Sequence, residues 1–177
     1  MSLLNETLDH AAMCEAWTLC TVDDVPDEQF ADQPAGLTNH PAWVLGHLTF
    51  AFDNLARELG AAPGRDESWY APFMGGSTPT NDRSAYPSKS ELIDAFKDSC
   101  ATLRRTVEQA GESNLNAPVA DEMIRTFFPT YGRWAAHALT AEGAFHTGQL
   151  SAWRRAKSMP SVFDQESNLQ RMLEAKR

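Results

Sequence analysis

Apolar positions recur along this chain at intervals of three and four in four separate stretches, and nowhere in sustained strict alternation. That spacing predicts four amphipathic helices and no strand. The first covers residues 3 to 20, where Leu4, Leu8, Ala12, Glu15 and Leu19 share a face and Asp23-Asp24-Val25-Pro26 ends the run. The second runs from His40 to Leu59. It opens on Thr38-Asn39-His40-Pro41, a polar cap followed by proline in the first turn, and Gly60 and Pro63 stop it. The third starts after Pro87 with an S-x-x-E capping box, Ser88 and Glu91. It continues as a stripe of Leu92, Ile93, Phe96, Cys100, Leu103 and Val107, and Gly111 closes it. The fourth spans Tyr131 to Lys157, between Pro129 and Pro160. Four long amphipathic helices without strands predict an all-α four-helix bundle.

Two connections stand out. Residues 61 to 87 form a long loop carrying Trp69, Tyr70, Phe73 and Met74, an aromatic content that argues for an ordered, functional segment. Residues 112 to 128 lack a period, yet Ile124, Phe127 and Phe128 are expected to cover apolar surface. Beyond the domain of residues 1–160, residues 161–177 are polar and predict a short extra helix or a loose tail.

Composition narrows the partners. The 177 residues suit one domain, and 42% hydrophobic content with five Trp and nine Phe excludes a disordered chain. Fifteen Lys and Arg against 24 Asp and Glu leave a formal charge of -9, which argues against nucleic acid or an anionic membrane surface as a partner. No apolar run reaches the length of a membrane span, because His47, Asp53 and Arg57 interrupt the most apolar stretch. The start of the chain has no basic segment before an apolar one, so no secretory signal is expected. Three cysteines, Cys14, Cys20 and Cys100, form no C-x-x-C pair and read as reduced thiols of a cytoplasmic protein. Cys100 lies inside an apolar stripe and is expected to be buried and inert.

The chemistry concentrates on two helices. At about 100° per residue, one face of the fourth helix carries Tyr131, Ala135, Ala138, Leu139, Glu142, Phe145, His146, Gln149 and Trp153. Arg133, His137, Thr140, Thr147, Ser151, Arg154 and Arg155 fall on the opposite, solvent-facing side. A carboxylate in the middle of an apolar face is costly unless something cationic meets it, and the arginines of this helix point away. The second helix supplies an inner stripe of His40, Trp43, His47, Phe50, Ala51, Asn54 and Glu58. Glu142 and His146, four apart, stack on one face, and with His47 from a facing helix they can hold a divalent metal with positions left open. The same pattern also fits a core Glu–His pair satisfied by hydrogen bonds, and periodicity does not separate the two. Gln149 and Asn54 are candidates to support the ligands, and Trp69, Tyr70 and Phe73 either wall the mouth of the site or form a plain hydrophobic lid. His137 lies about 140° around the helix from Glu142 and is expected to be a bystander. The chain has no H-E-x-x-H, no E-x-x-H, no G-x-S-x-G and no phosphate or dinucleotide loop.

These residues carry a resemblance. Asn39-His40-Pro41-Ala42-Trp43-Val44-Leu45-Gly46-His47-Leu48 and Glu142-Gly143-Ala144-Phe145-His146-Thr147-Gly148-Gln149-Leu150 resemble the two signatures of the DinB-like (DinB/YfiT) metalloprotein superfamily. Gly76-Ser77 and Tyr86-Pro87-Ser88 look like the linker of one subgroup, and the likeness covers residues 3 to 157. It implies an up-and-down four-helix bundle, often a homodimer, with a zinc or nickel ion on three side chains. Many members have His-x-x-x-His on the fourth helix, and Glu142 departs from that. A His, Glu, His set, as in the mycothiol-dependent maleylpyruvate isomerase branch, maps onto His47, Glu142 and His146. The resemblance further implies either a metal-dependent enzyme or a non-catalytic bundle, a structural dimer or a small-molecule sensor. The enzyme would be a transferase or isomerase using a low-molecular-weight thiol such as mycothiol or bacillithiol on an electrophilic carbon, or a hydrolase.

Overall fold

The computed structural model describes residues 3–175, and among them there are helices and no strand; one isolated antiparallel bridge joins Pro118 to Thr130. The order is α1 (Leu3–Val22), α2 (Pro41–Glu58), the short α3 (Glu67–Tyr70), α4 (Lys89–Asn116), α5 (Glu122–Phe127) and α6 (Tyr131–Ala136). A π-helical turn (His137–Glu142), α7 (Gly143–Ala156) and α8 (Glu166–Glu174) complete it. The stretch from α6 through the π turn to α7 keeps helical dihedrals at both junctions, so the fourth helix of the sequence is one continuous rod with a widened turn in its middle.

Local signals place the ends. The Ser88 hydroxyl accepts from the Glu91 backbone N–H while the Glu91 carboxylate accepts from Ser88 N–H, so both halves of the capping box are made. Gly111 takes φ +73°, which only glycine adopts cheaply, and breaks α4 before one last turn. His40 caps α2 through its ring, Nδ1 accepting from Trp43 N–H at 3.3 Å and Nε2 donating to the Thr80 carbonyl at 3.0 Å.

That ring is fully buried, and burial pushes its pKa from 6.5 down to about 4, against the pull of the Thr80 and Phe30 carbonyls. Below about pH 6.5 the unfolded chain takes up a proton that the folded one refuses until about pH 4. Stability is therefore expected to fall as pH drops through that window, by about 1.4 kcal/mol per pH unit. Urea unfolding at stepped pH checks this, and His40→Asn, which retains an N-cap acceptor, should flatten the dependence.

The core lies between α2 and α4, where Leu45, Leu48, Phe52 and Leu55 meet Leu92, Phe96, Leu103 and Val107. α1 packs along α7 and also touches α4, and α2 also touches α7. Each long helix thus rests on at least two others. The three cysteines are free and buried, and burial pushes the Cys100 thiol well above its ordinary range.

Several expectations need correction. α2 is buried almost all round: Ala42, Thr49 and Ala56, outside the expected inner stripe, are buried, whereas Glu58, within it, is exposed. The 61–87 connection folds over α2 and removes the contrast that a two-faced helix would show. On α7, Phe145 is 65% exposed, while Thr147 and Arg154, expected in solvent, are buried. The extra residue in the π turn rotates everything after it relative to a straight helix begun at Tyr131. Thr147 then faces α1, its hydroxyl 2.7 Å from that of Thr18. Phe127 is exposed as well, leaving Ile124 and Phe128 to cover the core. α8 lies against α1: its Met172, with Val162, buries against Cys20. No helix among the described residues is long and apolar enough to cross a membrane.

Candidate metal centre

His47 sits in the middle of α2, its ring stacked on Trp43 at 4.6 Å and nearly parallel. Its Nδ1 donates to the Phe73 carbonyl at 2.7 Å. That carbonyl is brought in because the Phe73 ring lies against the bare Cα of Gly46: a Cβ there would fall 2.2 Å from the ring. The glycine beside the histidine thus exists to admit the loop. Gly46→Ala is expected to cost about 2 kcal/mol, because the Phe73 ring is fully buried and cannot step aside, and to weaken metal binding by displacing the carbonyl. Thermal unfolding and metal titration of that variant check both effects.

His146 lies on α7, with Nδ1 donating to Gln149 Oε1 at 2.9 Å; the same oxygen accepts from Asn39 Nδ2 at 2.9 Å. Both imidazoles therefore carry their proton on Nδ1 and, when neutral, aim an Nε2 lone pair inward. Glu142, the last residue of the π turn, presents Oε1 at 3.5 Å from each Nε2. The imidazoles of His146 and His47, helped by His137, hold the Glu142 carboxyl well below the usual carboxylate range although burial opposes them.

With both rings neutral, three lone pairs converge on one point. A separation of 3.5 Å is longer than a good hydrogen bond. It is close to the edge of about 3.4 Å that a tetrahedron with bonds of about 2.0–2.1 Å would have. The donor set accordingly fits one divalent cation held by His47, Glu142 and His146. It fits the satisfied-core alternative less well, because hydrogen bonds from both rings to Oε1 would require both to be charged.

Gln149 orients His146, as described. Asn54 turns away, its amide oxygen accepting from Arg57 at 3.0 Å, and lines a cavity of about 220 Å³ with Phe50 and Tyr70. Tyr70 donates to Asp53 at 2.7 Å, Trp69 packs on Tyr70 and Phe73, and Phe73 serves the site through its carbonyl while its ring lies in the core. His137 is the main correction: its Nε2 lies 2.8 Å from Glu142 Oε2. In a uniform α-helix residues five apart face away from each other, but a π turn brings i and i+5 to one side. Asn39 was legible only as part of a cap, and no sequence signal marked the Phe73 carbonyl.

An all-helical chain with an E-x-x-x-H pair on one rod and a histidine on a neighbouring one defines a helical protein with a candidate three-ligand metal centre. Residues 14–150 match the family model of the DinB superfamily, and the chain belongs to that superfamily, whose members in general bind metal. No curated protein and no solved structure matches the chain.

Proposed function

We propose that this chain is a divalent-metal-dependent enzyme acting on a small electrophilic substrate, either a thiol-dependent transferase or isomerase or a hydrolase, with zinc or nickel as its ion. The observation that carries this reading is the one-sided donor set. Three ligands converge, and among the described residues no fourth His, Cys, Asp or Glu joins the group. The side chains of His47 and Glu142 keep 14% and 21% of their surface in contact with solvent. A purely structural ion would be enclosed by four ligands. When bound, the ion would supply Lewis-acid activation of a thiol or a water at neutral pH.

The chain's own residues hold that centre in shape. Phe73 and Gln149 fix the imidazole tautomers, and the Trp43 indole shields one face of His47 from water. Phe50, whose ring lies 6.4 Å from that of His47, also lines the cavity that Asn54 borders; this reading takes that cavity as a place for the substrate, with Phe50 between it and the three ligands. The same reading takes the four long helical stretches as an up-and-down bundle, supported by the ring of contacts from α1 to α4, α2, α7 and back.

The test is a turnover screen of untagged protein loaded with zinc or nickel, against small electrophiles with and without mycothiol, bacillithiol or cysteine. Metal-dependent turnover that His146→Ala abolishes supports the proposal. Stoichiometric metal with no turnover in any arm would replace it by the non-catalytic bundle, and failure to take up either metal would remove the centre itself.

A further inference from the structure

We propose that His137 is a positioning residue that makes Glu142 bind metal through one oxygen only, an inference that rests on the metal reading above. Its Nε2–H occupies Glu142 Oε2 at 2.8 Å, which leaves Oε1 as the atom facing the two imidazoles. An ionised carboxylate has no proton to give, so the hydrogen must sit on His137 Nε2. That nitrogen is therefore a donor to the carboxylate and not a fourth ligand, and His137 lies outside the group of atoms that converge.

The π turn is what makes this contact possible. It is a rare backbone form that concentrates at functional sites, and here it begins on His137 and ends on Glu142. The ring is held from behind as well, 4.8 Å from Phe128, which is itself stacked on Trp134. A side chain fixed on two sides and aimed at one carboxylate oxygen prevents that carboxylate from turning to chelate an ion with both. The chain thereby keeps one more coordination position for a substrate or a thiol than a two-oxygen glutamate would leave.

Two substitutions separate this role from packing. His137→Phe keeps a ring against Phe128 and removes the donor. His137→Gln removes the ring and keeps an N–H able to reach Oε2. Each is loaded with cobalt(II), whose visible absorption is strong in four-coordinate sites and weakens as coordination number rises. The proposal expects His137→Phe to bind cobalt about 10-fold or more weakly and with a weakened spectrum, and His137→Gln to restore the parent's spectrum. A parent-like spectrum in His137→Phe, or loss in His137→Gln alone, would overturn the positioning role while leaving the metal centre intact. Absence of cobalt binding by the parent protein would instead overturn the metal reading and this proposal with it.

Discussion

Glu142→Gln is expected to lose its metal, with affinity falling by about 100-fold or more, while the metal-free protein stays folded. The substitution keeps the shape of the side chain and removes the charge that balances the ion, and a neutral amide is a poor partner for zinc or nickel beside two imidazoles. In the metal-free protein the carboxylate is held ionised by His146, His47 and His137, so the same change should lower the melting temperature modestly without unfolding the chain. Glu142→His, which restores a pair of histidines four apart, should retain metal. Metal content and melting temperature with and without chelator, measured on the three proteins, decide the matter. If Glu142→Gln holds its ion as tightly as the parent, the carboxylate is no ligand.

Arg154→Ala is expected to destabilise the fold by about 3 kcal/mol. The Arg154 side chain is almost entirely buried. Its guanidinium makes a two-pronged pair with Asp24 and donates to the Thr21 and Pro160 carbonyls, each at 3.0 Å. It therefore ties α7 to the end of α1 and to the start of the tail in one group. Truncation leaves those carbonyls without their donor and a void in their midst. Asp24→Asn should cost less, about 1 kcal/mol, because the amide oxygen still accepts from the guanidinium and the Thr21 and Pro160 carbonyls keep the buried cation partnered. Denaturant unfolding of both variants checks the contrast, and equal losses would mean that the ion pair itself, rather than the buried cation, is what matters.

What could be read along the chain was whatever is local. The capping box at Ser88, the proline-started α2, the break at Gly111 and the spacing of Glu142 and His146 are all written within a few residues. The same spacing singled out His47, Glu142 and His146, which lie together. What escaped depends on contacts distant in sequence or on a departure from uniform helix. Arg154 looked solvated because Asp24, 130 residues away, cannot be paired with it by periodicity. α2 looked two-faced because the loop that covers it comes from elsewhere. His137 was misplaced because a constant angle per residue has no room for a π turn. All three errors concern which direction a side chain faces, and none concerns whether a helix exists.

The hydrogen bond from His47 to the Phe73 carbonyl couples two parts of the molecule that would otherwise open separately. Lifting the 61–87 connection off α2 frees the imidazole to rotate, so that the ion's grip and the closure of that segment become one equilibrium. By linkage, each tenfold excess of ion over its dissociation constant adds about 1.4 kcal/mol against that opening. Amide exchange in the segment should therefore slow in step with metal concentration and stop responding in Glu142→Gln. With an ion bound, the loop would act as a clasp that the ion locks, and resistance to proteolysis there would measure how much metal the chain has taken up.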